Sequence, residues 1–206
     1  MHTAKWPAAI AAVLVGGLGT APRAENQAAA RLVIDVLADP GVPSPTVAAA
    51  KAVVDRVYQG IGVEITWVDG AGPSPVVEVN MHAVWRRIWV KSTAERHFPA
   101  AYGNVNVLGV APRGNGVPGR VAYVFYDAAL VKAQRHAIAL ASVLGYAMAH
   151  ELGHLLLPRE SHGTNGVMRG DWLTSDLRLM REEKLAFDRR DGVEIRAVLL
   201  SGDGSK

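Results

Sequence analysis

From Arg31 onward the chain alternates short β-branched runs with longer amphipathic stretches. Arg31 to Ala38 (RLVIDVLA) is aliphatic and β-branched and predicts a strand, which Asp39-Pro40-Gly41 breaks. Ser44-Pro45 places a capping residue before a proline, the usual opening of a helix. The helix is expected over Thr46 to Gln59, because Val47, Ala50, Val53, Val54 and Val57 recur at helical spacing, and Gly60 ends it. Val63 to Val68 (VEITWV) alternates and predicts a second strand. A β-α-β opening of this kind is typical of α/β chains. After the turn-rich segment Asp69 to Pro75, Val76 to Met81 reads as a third strand.

The middle of the chain is less regular. Ala83 to Tyr102 reads as a short helix or irregular segment, in which Trp85 and Trp89, with Arg86 and Arg87 between them, either pack against the core at i, i+4 spacing or form a substrate rim. Asn104 to Val110 alternates like a strand, Ala111 to Gly119 is a Gly- and Pro-rich loop, and Arg120 to Tyr126 has strong strand propensity. Asp127 is placed to cap a helix-forming run from Ala128 to Leu157, either one helix or two joined near Gln134 to His136. That run carries Lys132, Arg135, His136, His150, Glu151 and His154, which excludes a membrane span. Pro158 stops it. Ser161 to Leu173 is loop, and Ser175 or Asp176 caps a last helix at about Leu177 to Phe187. The tail 201–206 has the composition of a disordered end.

Composition narrows the chemistry. The chain has 206 residues, half of them hydrophobic and a fifth charged, enough for one domain with a real core. It has no Cys, which excludes a disulfide scaffold, a thiolate metal site and a cysteine nucleophile. Any metal must be held by His, Asp or Glu. Residues 1–24 combine Lys5, an uncharged and mostly apolar stretch from Ala8 to Gly19, and small residues with Ala21 and Ala24 as cleavage points. This is the pattern of a secretory signal peptide. Removing Lys5 and Arg23 with it leaves 20 basic against 19 acidic residues, a charge of +1. No basic stripe with interleaved aromatics remains, so nucleic acid is a poor partner. The expected organisation is a signal peptide over 1–24, one domain over 25–200 and a short tail. The mature protein would be secreted or periplasmic, without stable membrane association.

Residues 150–154 read His-Glu-Leu-Gly-His, an HExxH motif. On a helix, positions i and i+4 share a face, so His150 and His154 can both reach one Zn²⁺ at about 2.0–2.1 Å. Glu151 stands about 100° round the helix from His150, close enough to act on a water at the metal as general base. A buried His-Glu-His cluster without a metal would cost several kcal/mol, roughly, in an apolar helix. A third ligand is needed. His162 lies past the Pro158 stop, on a segment able to fold back, and Gly166-Val167-Met168 follows as a tight turn ending in an apolar side chain.

The segment from His150 to Met168 resembles the metzincin zinc peptidases, whose signature is HExxHxxGxxH followed by a Met-containing turn beneath the zinc. It is most similar to small exported bacterial proteins with a HELGHLLL core, a His a few residues later, and a Gly-Ile/Val-Met-Arg ending, here Gly166-Val167-Met168-Arg169. The resemblance implies an α/β (α+β) fold: a twisted mixed sheet, a helix carrying the motif and a C-terminal helix. It also implies His150, His154 and His162 as zinc ligands, Glu151 as general base and Met168 as the turn methionine. The departures are specific. His162 is eight residues after His154 rather than six, Leu157 stands in the glycine place, and Glu160 occupies the register of the third ligand. Glu160 therefore stays open as an alternative to His162. No Tyr follows Met168 to serve as a transition-state donor; Arg169 is a substitute or a solvated loop residue. A second class, the gluzincins, takes a Glu from a later helix, where Glu182 and Glu183 lie.

The remaining candidates have ordinary readings. His82, His97 and His136 show no partner spacing, Trp172 buttresses the site, and Asp171 and Asp176 are either acceptors for ligand imidazoles or helix-cap and surface residues. The expected function is zinc-dependent hydrolysis of peptide bonds in a peptide or protein substrate, with Arg120 to Tyr126 as an edge strand for that substrate. The alternatives are a zinc-binding module without peptidase activity and a zinc amidase acting on a non-protein amide.

Overall fold

The computed structural model describes residues 29–69, 84–92, 106–114, 117–158 and 162–201. The segment 1–24, the expected strand Val76 to Met81, His82, His97 and Glu160 lie outside these residues. The chain forms a mixed α/β fold. Strand β1 (Ala30–Ala38) leads through helix α1 (Ser44–Gln59) to β2 (Val63–Asp69), and the two strands pair in parallel. This is the β-α-β unit that the alternation of runs predicts. Pro43 rather than Ser44 precedes the helix, and no side-chain hydrogen bond caps it.

The segment expected as helix or irregular structure is instead β3 (Val84–Lys91), at the centre of the sheet. With β7 (Val121–Phe125) and the short β4 (Gly109–Val110) it completes the order β2-β1-β3-β7-β4, in which only β4 runs antiparallel to its neighbour. Trp85 and Trp89 thus share a strand face, not a helix face. Trp89 stacks on its register partner Tyr123, and Arg87 pairs with its register partner Asp35 at 2.6 Å. The opposite face of β3 presents Val84, Arg86, Ile88 and Val90, all buried. Between β4 and β7, β5 (Arg113–Gly114) and β6 (Val117–Pro118) form a small antiparallel pair. The expected edge strand Arg120 to Tyr126 is therefore interior, and among the described residues β4 forms the edge.

The run Ala128 to Leu157 divides into α2 (Tyr126–His136) and α3 (Leu140–Leu156). The break comes at Ala137, in the left-handed region at φ 50°. Asp127 lies inside the first turn of α2, where its carboxylate accepts the Ala128 N–H at 2.7 Å. Leu157 is extended at ψ 134°, as the residue before Pro158 must be. Almost every residue of α3 is buried, which its composition requires, because it packs against α1, α2 and the sheet. The helix expected at about Leu177 to Phe187 is instead α4 (Thr174–Arg181), which starts earlier, ends well before Phe187 and is not the last; Asp176 accepts the Leu173 N–H at 2.8 Å. A further helix, α5 (Arg189–Ser201), follows. Its start carried a capping signal: the Asp188 carboxylate accepts the Asp191 N–H at 2.8 Å. No helix among the described residues is long and apolar enough to cross a membrane.

Candidate metal centre

The centre is built on the last two turns of α3. His150 and His154 project from one face, with their Nε2 atoms 3.0 Å apart. His162 folds back to them from beyond Pro158, its ring centre 5.2 Å from that of His150 and 4.9 Å from that of His154. The loop reaches them because Gly163 N–H donates to Met168 O at 2.8 Å and Gly163 bridges to Arg169, closing a tight bend. One nitrogen from each of the three rings lies within 4.8 Å of the others. At a Zn–N length of about 2.0–2.1 Å, two tetrahedral ligands stand about 3.3 Å apart, so the cluster fits a metal ion of that size.

Orientation within the cluster is fixed from behind. His150 Nδ1–H donates to Val167 O at 2.7 Å, which leaves Nε2 as a lone-pair donor facing the cluster. The same carbonyl accepts the Trp172 Nε1–H at 3.2 Å, and the indole stands edge-on to His150 with ring centres 5.9 Å apart. Trp172 therefore buttresses the site as expected. Met168 is fully buried beneath α3 and touches Gly153, between the two motif histidines. Burial pushes the His150 imidazolium down to about 4, opposed by its bond to Val167 and reinforced by His162. The ring is thus neutral near pH 7, the form that binds metal.

Glu151 is buried beside the cluster, and burial alone pushes its carboxyl up to about 8. Its side chain lies against Gly109 of the edge strand. A Cβ on residue 109 would come within 2.7 Å of both Glu151 Cγ and Tyr123 O, so only glycine lets β4 pass this close. The end of α3 is held by two arginines from other elements. Arg86, buried on the core face of β3, donates to Leu155 O at 3.2 Å. Arg113, from β5, donates to His154 O, Leu157 O and Pro158 O at 3.2, 3.3 and 2.9 Å. Both satisfy carbonyls that a helix end leaves without partners, at its negative pole.

The other candidates stand elsewhere. Glu182 pairs with Arg178 and Lys184 and Glu183 with Arg56, so neither supplies a ligand of the gluzincin kind. Asp176 engages Arg169 at 3.0 Å and caps α4, and does not meet an imidazole. Arg169 and Asp171 line the cleft over the cluster, and His136 is absent from the cluster. The cleft measures about 610 Å³ and runs from the Asn106 to Ala111 segment, across the three histidines, to Gly170, Asp171 and Trp172. Arg113, Gly109 and Lys132 also line it. Nothing local in the sequence marks these three, since each enters through contacts remote in the chain.

No family model matches this chain, and no curated protein is significantly similar to it. Among solved structures, an archaemetzincin from Methanopyrus kandleri is similar. The likeness covers 86% of this chain and 99% of that one, at 19% identity and a TM-score of 0.45.

Proposed function

We propose that the protein is a zinc-dependent peptidase in which His150, His154 and His162 hold the metal and Glu151 is the general base. The observation that carries this reading is the convergence of three imidazoles beside a buried carboxyl, on the floor of an open cleft. Three neutral nitrogen ligands without a thiolate suit zinc with an open position. When bound, the metal supplies Lewis acidity and lowers the pKa of water at the site. Glu151 is placed to act as general base: with the metal bound it would take a proton from water at the site and pass it to the leaving amine. Burial raises the Glu151 carboxyl, and a bound dication would draw it back towards its charged form, which suits it to both halves of that transfer. Met168 supports the helix between the ligands. The edge strand β4 is the wall along which an extended peptide would lie. Residues 1–24 direct export, and the mature chain works in the periplasm or outside the cell.

The test is cleavage of a peptide library by the mature chain and by Glu151→Gln, with zinc content measured on both. The expected result is one zinc in each and a loss of cleavage of about 10²–10⁴-fold in the variant. Zinc in both with cleavage by neither would make the protein a binding module. Chains that take up no zinc would overturn the proposal.

A further inference from the structure

One cation in the cleft has no role in the hydrolytic scheme. Lys132, on α2, lines the same cleft as Glu151 and the three histidines. Its ammonium stands 5.8 Å from the centre of the Trp172 ring. That indole is itself anchored, by its hydrogen bond to Val167 O and its edge-on contact with His150. The steps from His150 to Trp172 and from Trp172 to Lys132 bound the distance between the His150 ring and the ammonium at about 12 Å. That is the span of roughly three or four extended residues.

The neighbouring cations are already engaged. Arg113 holds the carbonyls at the end of α3, and Arg169 holds Asp176. Lys132 differs. Among the described residues no group is hydrogen-bonded to its ammonium, which stands over the Trp172 ring with the Asp171 carboxylate acting on it through charge alone. Burial holds the ammonium below the usual lysine range, Asp171 works against that shift from an exposed position, and Arg135 adds to it. A partly buried ammonium that stands over an aromatic face at the side of a cleft, with no hydrogen bond to the described protein groups, gains from an incoming anion.

We propose that Lys132 binds a carboxylate of the substrate, so that the cleft selects peptides with a negative charge within a few residues of the scissile bond. The proposal takes the peptide substrate from the hydrolytic reading and the anion preference from the cleft itself. The carboxylate can belong to the peptide's C-terminus or to an Asp or Glu side chain.

The zinc-incubated protein with its lysines ¹³C-dimethylated gives a resolved probe, since the chain has only six lysines and Lys132→Arg identifies the signal of interest. Three probes are titrated: acetyl-Ala-Ala-Ala with a free carboxylate, its C-terminal amide, and the amide of acetyl-Ala-Glu-Ala. The Lys132 signal should shift with the first or the third and not with the neutral amide, and the responding probe names the source. In cleavage assays, Lys132→Met should raise KM for charged peptides about tenfold with kcat nearly unchanged, and Lys132→Arg should restore it. A Lys132 signal silent to both carboxylates, or equally responsive to the neutral amide, overturns the proposal even if zinc-dependent cleavage is found. A selective shift without cleavage supports the anion site and removes the peptidase reading alone.

Discussion

Gly153 and Met168 occupy adjoining space between the two motif histidines. A methyl group on residue 153 would overlap Met168 Sδ, lie 3.1 Å from its Cε and reach Phe187 at 3.4 Å. Met168 and Phe187 are both buried, so the thioether has little room to withdraw. Gly153→Ala should therefore destabilise the protein by about 1–3 kcal/mol in urea unfolding. Met168→Ala should cost about 2–5 kcal/mol. In the Met168→Ala background the added methyl enters space already vacated and should cost much less. Additive costs would show that the two residues do not meet.

Arg113 ties the rim of the cleft to the end of the helix that carries His150 and His154. Replacing it with Met removes three hydrogen bonds to carbonyls around His154 while keeping most of the side-chain bulk. Zinc affinity, measured by competition with a chromophoric chelator, should fall by about tenfold, the lower end for residues that orient ligands. Unchanged affinity would confine Arg113 to general stability.

The carboxylate of Asp39 gathers donors from the end of β3: Ser92 N–H at 2.9 Å, Lys91 Nζ at 3.1 Å and Trp89 Nε1 at 3.2 Å. Partial burial opposes ionisation, but these hydrogen bonds and the Lys91 charge outweigh it and hold the pKa below its ordinary 3.8. A depressed carboxylate pKa contributes stability that is present above the unfolded value and fades as pH falls through the folded one. Urea unfolding at pH 6 and pH 3 should show a smaller loss on acidification for Asp39→Asn than for the unaltered protein. Identical losses would remove Asp39 from the acid sensitivity of the fold.

Much of this molecule was legible in the chain because local pattern and tertiary role agree. Strand β1 and helix α1 bury the residues that their periodicity marks, β2 packs Val63, Ile65 and Trp67 on the core, and the apolar helix around the motif ends at Leu156, two residues before Pro158. Strand β3 was not legible. It buries Arg86 and Lys91 while its tryptophans recur four apart, so polarity and spacing both pointed away from a central strand. Helix α5 opens with Arg189, Arg190, Asp191 and Gly192, a poor helical sequence held by the Asp188 cap and the burial of Ile195 and Leu199. At the site, the paired histidines followed from helix geometry. The approach of His162 depended on a bend closed by backbone hydrogen bonds, and Lys132 and Gly109 came from elements distant in the chain.

The central claim is that three imidazoles grip one metal ion, and zinc binding by the mature chain and by His162→Ala tests it most directly. The account predicts one zinc per unaltered chain, surviving dialysis against a weak chelator, and a loss of affinity of at least about 10²-fold when the third imidazole is removed. A chain that takes up no zinc, or that holds it equally well without residue 162, would contradict it.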